Sequence, residues 1–197
     1  MVRPVAVLGE SALLAGPFRQ TSGMEFFCYH RSRPGSDELR GELREAHWSY
    51  MDGFADELIA RGPTALGSVH IVDVPDAAAA REFAFAEPCY QAGVFRDVLV
   101  RRWHNSLGRT MWQFPGDPEA DELFVVLGLG SGPAVDLEPR SSESLFAYGP
   151  LWSDDGTAWL GTAALVQASN EEAARGLLTA DRYDAIEVDF WAPGGRR

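Results

Sequence analysis

Cysteine is nearly absent from this chain: Cys28 and Cys89 are the only two in 197 residues. They make neither a disulfide framework nor a metal-ligand spacing. Both thiols stay free most simply in a reducing cytoplasm, which is the expected location. Positive charge is short as well. Seventeen basic residues against 29 acidic ones leave a formal net charge of −12, which argues against nucleic acid and anionic membranes as partners. Arg101-Arg102 and Arg196-Arg197 are too short to act as basic patches. No apolar run approaches the ~18 residues that a membrane span needs. Val5 to Leu14 has the look of a signal-peptide core, but Gly9 and Glu10 interrupt it and no small-residue cleavage pattern follows. Residues 1–23 are therefore read as an N-terminal extension.

Familiar catalytic signatures are missing too. Gly128-Leu129-Gly130-Ser131-Gly132 lacks the spacing of a nucleophile elbow. It is not a dinucleotide fingerprint either, because Pro133 prevents the helix that would have to follow. The four histidines, 30, 47, 70 and 104, have no metal-binding spacing. Neither a metal nor a cofactor is expected.

What the chain does contain is an echo of itself. Gly67-Ser68-Val69 leads to Ala79-Ala80-Arg81, and Gly161-Thr162-Ala163 leads to Ala173-Ala174-Arg175, at a constant offset of 94 residues. A Gly-Pro pair lies upstream of each (Gly62-Pro63, Gly149-Pro150), and an acid and a tyrosine lie downstream (Glu87 and Tyr90, Asp181 and Tyr183). Each unit closes on a short apolar strand ending in Trp103 or Trp191. The reading is a tandem duplication: one domain over 24–105, a linker over 106–122 and a degenerate copy over 123–197. Only the first copy has histidines.

In the first unit, Met24 to His30 reads as a strand. Leu39, Leu43, His47, Tyr50, Phe54 and Leu58 share one helical face, which predicts a helix from Asp37 to Ala60, capped by Ser36 or Asp37 and stopped by Gly62-Pro63. Val69 to Val74 is a strand, Ala77 to Ala86 a helix ended by Pro88, and Val94 to Trp103 a strand. In the second unit Leu123–Leu129, Leu145–Leu151, Thr157–Gln167 and Ala185–Trp191 read as strands. Gly132, Pro133 and Pro139 exclude a long first helix, and Ser169 with Glu172 reads as a capping box. The layout is split β-α-β, an α+β fold with helices on one face of an antiparallel sheet.

Arg44-Glu-Ala-His47, Gly62-Pro63, Gly67-Ser68, Glu87-Pro-Cys-Tyr90 and Ala92-Gly-Val94, in that order, resemble the YCII-related domain family. The resemblance covers 24–105 well and 123–191 more weakly. It implies ferredoxin-like units of the dimeric α+β barrel type, here paired within one chain, with a homodimer as a further option. It also implies a His–Asp pair at the site, and a dehydrochlorinase-like lyase is among the family's activities. Glu87 stands where the family has Asp.

An imidazole suits general acid–base work, and His47 is read in that role; the plainer reading is a core histidine. Glu87, placed at a helix end with a negative dipole, is expected to have a raised pKa and to orient His47 or act as base. Ser68 is expected to donate to a bound carbonyl or carboxylate. His70, His30, Tyr50 and Tyr90 are expected to contact the ligand, with Trp48 adding contact area. Two functions stay open: a cofactor-independent lyase or hydrolase, or a non-catalytic binding protein, each for a small-molecule ligand.

Overall fold

The computed structural model describes residues 23–195; apart from Gly23, the extension read over 1–23 lies outside them. Eight strands form one antiparallel sheet: β1 (Met24–Ser32), β2 (Leu58–Thr64), β3 (Gly67–Val74), β4 (Phe95–Trp103), β5 (Glu122–Leu129), β6 (Leu145–Trp152), β7 (Trp159–Ala168) and β8 (Ala185–Phe190). Their order is β2-β3-β1-β4-β6-β7-β5-β8. Each half therefore contributes four strands in the same internal order.

The sheet curls until its ends touch. β4 joins β6 through Arg102↔Trp152 and Trp103↔Leu151. At the other seam Thr64 bridges Trp191, and the Ala192 N–H donates to Pro63 O at 3.0 Å. The first seam has the matching bond from His104 N–H to Pro150 O at 3.2 Å. Glycine is required at both. A Cβ on Gly62 would lie 1.8 Å from Ala192 O, and one on Gly149 would lie 1.7 Å from His104 O.

Side-chain alternation decides what each face does. Phe27, Tyr29, Val69 and Ile71 of the first half pack inside the curl with Val125, Leu127, Ala163 and Leu165 of the second. The intervening residues face outward onto helices. Phe26, Cys28 and Val72 meet Phe83 and Ala84 of α3 (Ala77–Phe85). Phe124, Val126 and Ala164 meet Ala174 of α5 (Glu171–Arg175). Polar ties also cross between the halves: Tyr29 donates to Asp189 at 2.9 Å, and Arg31 pairs with both Asp97 (2.8 Å) and Glu187 (2.7 Å).

The expected Asp37–Ala60 helix is corrected. It is two helices, α1 (Asp37–Glu42) and α2 (Arg44–Asp52), meeting at Leu43. Leu58 to Thr64 pairs with β3 instead. The reason is burial on two sides: Leu58 joins the outer cluster and Ile59 the inner one, which adjacent residues achieve only on a strand. Gly62-Pro63 thus sits inside a strand and stops no helix. Ser36 makes no side-chain cap; its hydroxyl donates back to Arg33 O. The second-half cap is Asn170, which accepts from Ala173 N at 2.9 Å, and not Ser169. The linker region packs down: Met111 is buried and Phe114 stacks on Phe146 at 3.8 Å between ring centroids.

Candidate functional site

A cavity of about 300 Å³ opens between the α1–α2 segment, the β2–β3 hairpin and the chain end beyond β8. His47 on α2 reaches it with Arg44, three residues earlier on the same helical face, and Arg40 joins them from α1; all three line the cavity. Ser68 and His70 line it from the opposite wall. They are two apart on β3 and point to the helix-covered side of the sheet.

His47 Nδ1 lies 2.7 Å from Glu87 Oε1. Glu87 is fully buried. It was expected at the negative end of a helix, and this too is corrected. Glu87 follows α3 but caps the single turn α4 (Pro88–Gln91), and its Oε2 accepts from Tyr90 N at 2.8 Å. Pro88 opens that turn because its missing N–H costs nothing at the first helical position. Burial alone would push the Glu87 carboxyl up. The hydrogen bond from His47 and those from the Cys89 and Tyr90 backbone outweigh it, and the net shift is downward from the usual value, opposite to the expectation. An ionised Glu87 accepts only, so Nδ1 carries the proton. Nε2 is left with its lone pair and no partner among the described residues.

His30 and His70 stand behind His47. His47 and His70 rings are 5.6 Å apart, and His70 and His30 rings 5.4 Å, edge to face. His30 does not line the cavity; it is buried and its Nε2–H donates to Ala84 O at 3.1 Å. Burial lowers its pKa to about 4. Burial, and then the neighbouring His30 and His47, hold His70 well below its ordinary value. Both are therefore neutral near pH 7. Ser68 Oγ and His70 Nδ1 are buried without a hydrogen-bond partner among the described residues.

The tyrosines are placed elsewhere. Tyr50 donates to Phe83 O at 3.1 Å and packs on Phe54. Tyr90 lies over Phe85 and is partly exposed. Neither lines the cavity, because each turns its ring toward α3. The residues that sequence reasoning missed are Arg40, Arg44 and Arg61, and the chain end at Gly194 and Gly195. Arg44 shares the face of His47 on α2 and was there to be read, and Arg40 comes from α1; the others arrive only through β2 and the closing seam.

His47, Glu87 and Cys89 bring three potential ligand atoms within 4.8 Å of one another. Burial, and then the Glu87 charge, push the Cys89 thiol up to about 12. Glu87 gives one oxygen to His47 and the other to the Tyr90 N–H.

Residues 24–104 match the family model of the YCII-related domain. This segment is a YCII-related domain. The corresponding positions of the second half are different in kind. Gly128, Thr162 and Ala164 hold the register places that His30, Ser68 and His70 hold in the YCII-related domain. There Tyr183 fills the space: its hydroxyl donates to Asp136 at 3.0 Å and lies 3.0 Å from Thr162 Oγ1, and its ring sits where a Cβ on Gly128 would be.

No curated protein sequence matches the chain. Among solved structures, the chain is similar to 5-chloro-2-hydroxyhydroquinone dehydrochlorinase (TftG) from Burkholderia phenoliruptrix AC1100, solved in complex with 2,5-dihydroxybenzoquinone. The two are 27% identical over 42% of this chain and 95% of that one, with a TM-score of 0.41. A candidate monooxygenase from Lactobacillus acidophilus NCFM is 10% identical over 86% of this chain and 93% of its own, with a TM-score of 0.48. A mutant chlorite dismutase from Candidatus Nitrospira defluvii is 8% identical over 88% and 93%, with a TM-score of 0.50. That last likeness shows the fold, an α+β arrangement of the dimeric barrel type. Among the described residues no helix is long and apolar enough to cross a membrane.

Acid should destabilise the protein in a defined window. His30 has a folded-state value of about 4 against an ordinary 6.5, so between these the unfolded chain binds the extra proton. Stability is full above about pH 6.5 and declines toward pH 4. Glu87, with its lowered value, adds to the loss at still lower pH, below the ordinary carboxyl value of 4.5. Urea midpoints at pH 7.5 and 5.0 check this. A fall at pH 5.0, reduced in a His30→Gln variant, is expected; equal midpoints in the two buffers contradict it.

Proposed function

We propose that the chain is a cofactor-independent small-molecule enzyme of lyase or hydrolase type, in which His47 moves a proton and Glu87 holds it in position. One observation carries this reading: the 2.7 Å contact of His47 Nδ1 with a fully buried carboxylate, which leaves Nε2 unprotonated beside a cavity of substrate size. A fixed tautomer with an oriented lone pair is what a general base needs. As Nε2 takes a proton, the imidazolium forms next to Glu87, and the carboxylate stabilises it. Ser68 and His70 are the hydrogen-bonding groups for the substrate, and His30 positions His70 from behind.

The second half serves as structural partner in this reading. The matched strand orders, the paired seams and the 94-residue echo support descent from a tandem duplication. The two units then build within one chain the barrel that separate copies build elsewhere, with domains at 24–105 and 123–197. Tyr183 occupying the second unit's corresponding space supports one working site per chain, and a homodimer is not required. The two free thiols, Cys28 and Cys89, favour a reducing, cytoplasmic setting.

The test is proton exchange. Carbon acids from β-chloro enols, β-hydroxy carbonyl compounds and lactones are incubated in D2O with the protein, and deuterium uptake and elimination or hydrolysis products are followed. At least one compound should be turned over by the wild type. His47→Ala should lower that rate by ~10²–10⁴-fold, the usual worth of a general base. Undiminished turnover in His47→Ala would reject the reading.

A further inference from the structure

Charge inside the cavity runs against the charge of the whole chain. Among the described residues Arg40, Arg44 and Arg61 line it, against Asp37 alone of the carboxylates, in a protein of net charge −12. Their engagements differ. Arg40 donates to Gly67 O at 2.6 Å. Arg61 donates through Nε to Gly194 O at 3.2 Å, and Asp52 lies 3.7 Å from its Nη1. The side chain of Arg44 has neither a hydrogen bond nor an ion pair among the described residues. Two further polar groups in the same cavity also lack partners among the described residues: Ser68 Oγ and His70 Nδ1, on residues 3% and 2% exposed. Leaving such groups buried and unsatisfied costs free energy that a bound acceptor would recover.

We infer that the site is built for a small organic acid, whose carboxylate is held by Arg44 with Arg40 and whose apolar body lies against Trp48, Met51 and Phe95. Arginine's planar fork matches a carboxylate in two parallel bonds. The apolar wall is on the same cavity, and its volume of about 300 Å³ is at the small end of ligand sites. The inference names the substrate class for His47 acting as base and rests on that reading. It also explains how the base would work. A proton removed from the carbon next to a carboxylate leaves its electron pair delocalised onto the carboxylate oxygens. The arginines meet that growing charge where it appears. The proton goes to His47 Nε2, and no oxidant or co-reactant is needed.

Binding separates this inference from the catalytic one. Benzoate, benzamide and phenyl phosphate are titrated into the full chain by calorimetry, at low and at high sodium chloride. Benzoate should bind, at least tenfold more tightly than the isosteric neutral benzamide and more tightly than phenyl phosphate, and should weaken as salt rises. Arg44→Gln, at an exposed position that the fold does not depend on, should weaken benzoate at least tenfold. Arg44→Lys should recover part of the loss. His47→Gln should lose turnover yet lose less benzoate affinity than Arg44→Gln, so loss of turnover there with salt-sensitive binding retained speaks only to the base. Equal affinity for benzamide, tighter binding of phenyl phosphate, no binding of benzoate, or an Arg44→Gln variant that binds unchanged would each overturn the assignment.

Discussion

Replacing Glu87 should separate stability from chemistry. Glu87→Ala removes a fully buried carboxylate and strands its partners: the His47 Nδ1–H and the Tyr90 N–H that α4 offers. Breaking a buried pair from one side costs ~3–5 kcal/mol, and a lost N-cap accounts for ~1 kcal/mol of that order by itself. For a chain of this size the expected fall in Tm is ~6–20 °C. Glu87→Gln behaves differently. Its amide oxygen can still cap Tyr90 N, so most of the stability survives. Its NH2 group then faces His47 and donates where the carboxylate accepted. His47 must turn to the tautomer with Nδ1 bare and Nε2 protonated, and Nε2 ceases to be a base. Where an oriented histidine loses its carboxylate in this way, turnover falls by up to ~10⁴-fold. The expected pattern is therefore a heat-labile, weakly active alanine variant and a stable, inactive glutamine variant. Thermal melts and initial rates measured side by side give the answer. A glutamine variant within threefold of wild-type turnover would remove Glu87 from the mechanism.

Residues 24–105 expressed alone should fail to persist as a folded monomer. Phe27, Tyr29, Val69 and Ile71 face the interior that the second half covers, and Trp103 forms the β4–β6 seam with Leu151. Uncovering several hundred Å² of apolar surface costs ~10 kcal/mol at about 25 cal/mol per Å², an upper figure. A domain's whole stability is ~5–15 kcal/mol. The fragment also exposes two strand edges, β2 and β4, ready to pair with another copy. A dimer at high concentration, or an unfolded chain, is the expected outcome by sedimentation and circular dichroism. A monomer that stays folded at all concentrations would mean that each half is stable by itself and that the pairing of units is incidental.

The sequence carried much of this protein openly. The short aromatic-rich run Met24–His30 and the run Val69–Val74 both read as strands, and both are central in the sheet. The constant offset between Gly67 and Gly161 pointed to a strand opening at Gly161, and prolines over 133–139 excluded a second long helix. The His47–carboxylate pair was also legible, through the ordered motifs that resemble the YCII-related domain. Other features were decided only in three dimensions. Leu58 continues the helical period of Leu39 to Phe54, so local pattern alone favours a helix there. Burial of Leu58 on one face and Ile59 on the other overrides it, because both need partners that only the folded sheet supplies. Glu87 likewise reads as the end of one helix, and its lowered pKa depends on its capping the next turn and on His47 arriving from another element. The cationic lining joins α1, α2, β2 and a chain end more than 150 residues from Arg40. Local sequence fixes which face of an element is apolar, since that follows from backbone geometry. Which polar groups meet across the cavity follows from closure of the sheet, and closure is a property of the whole chain.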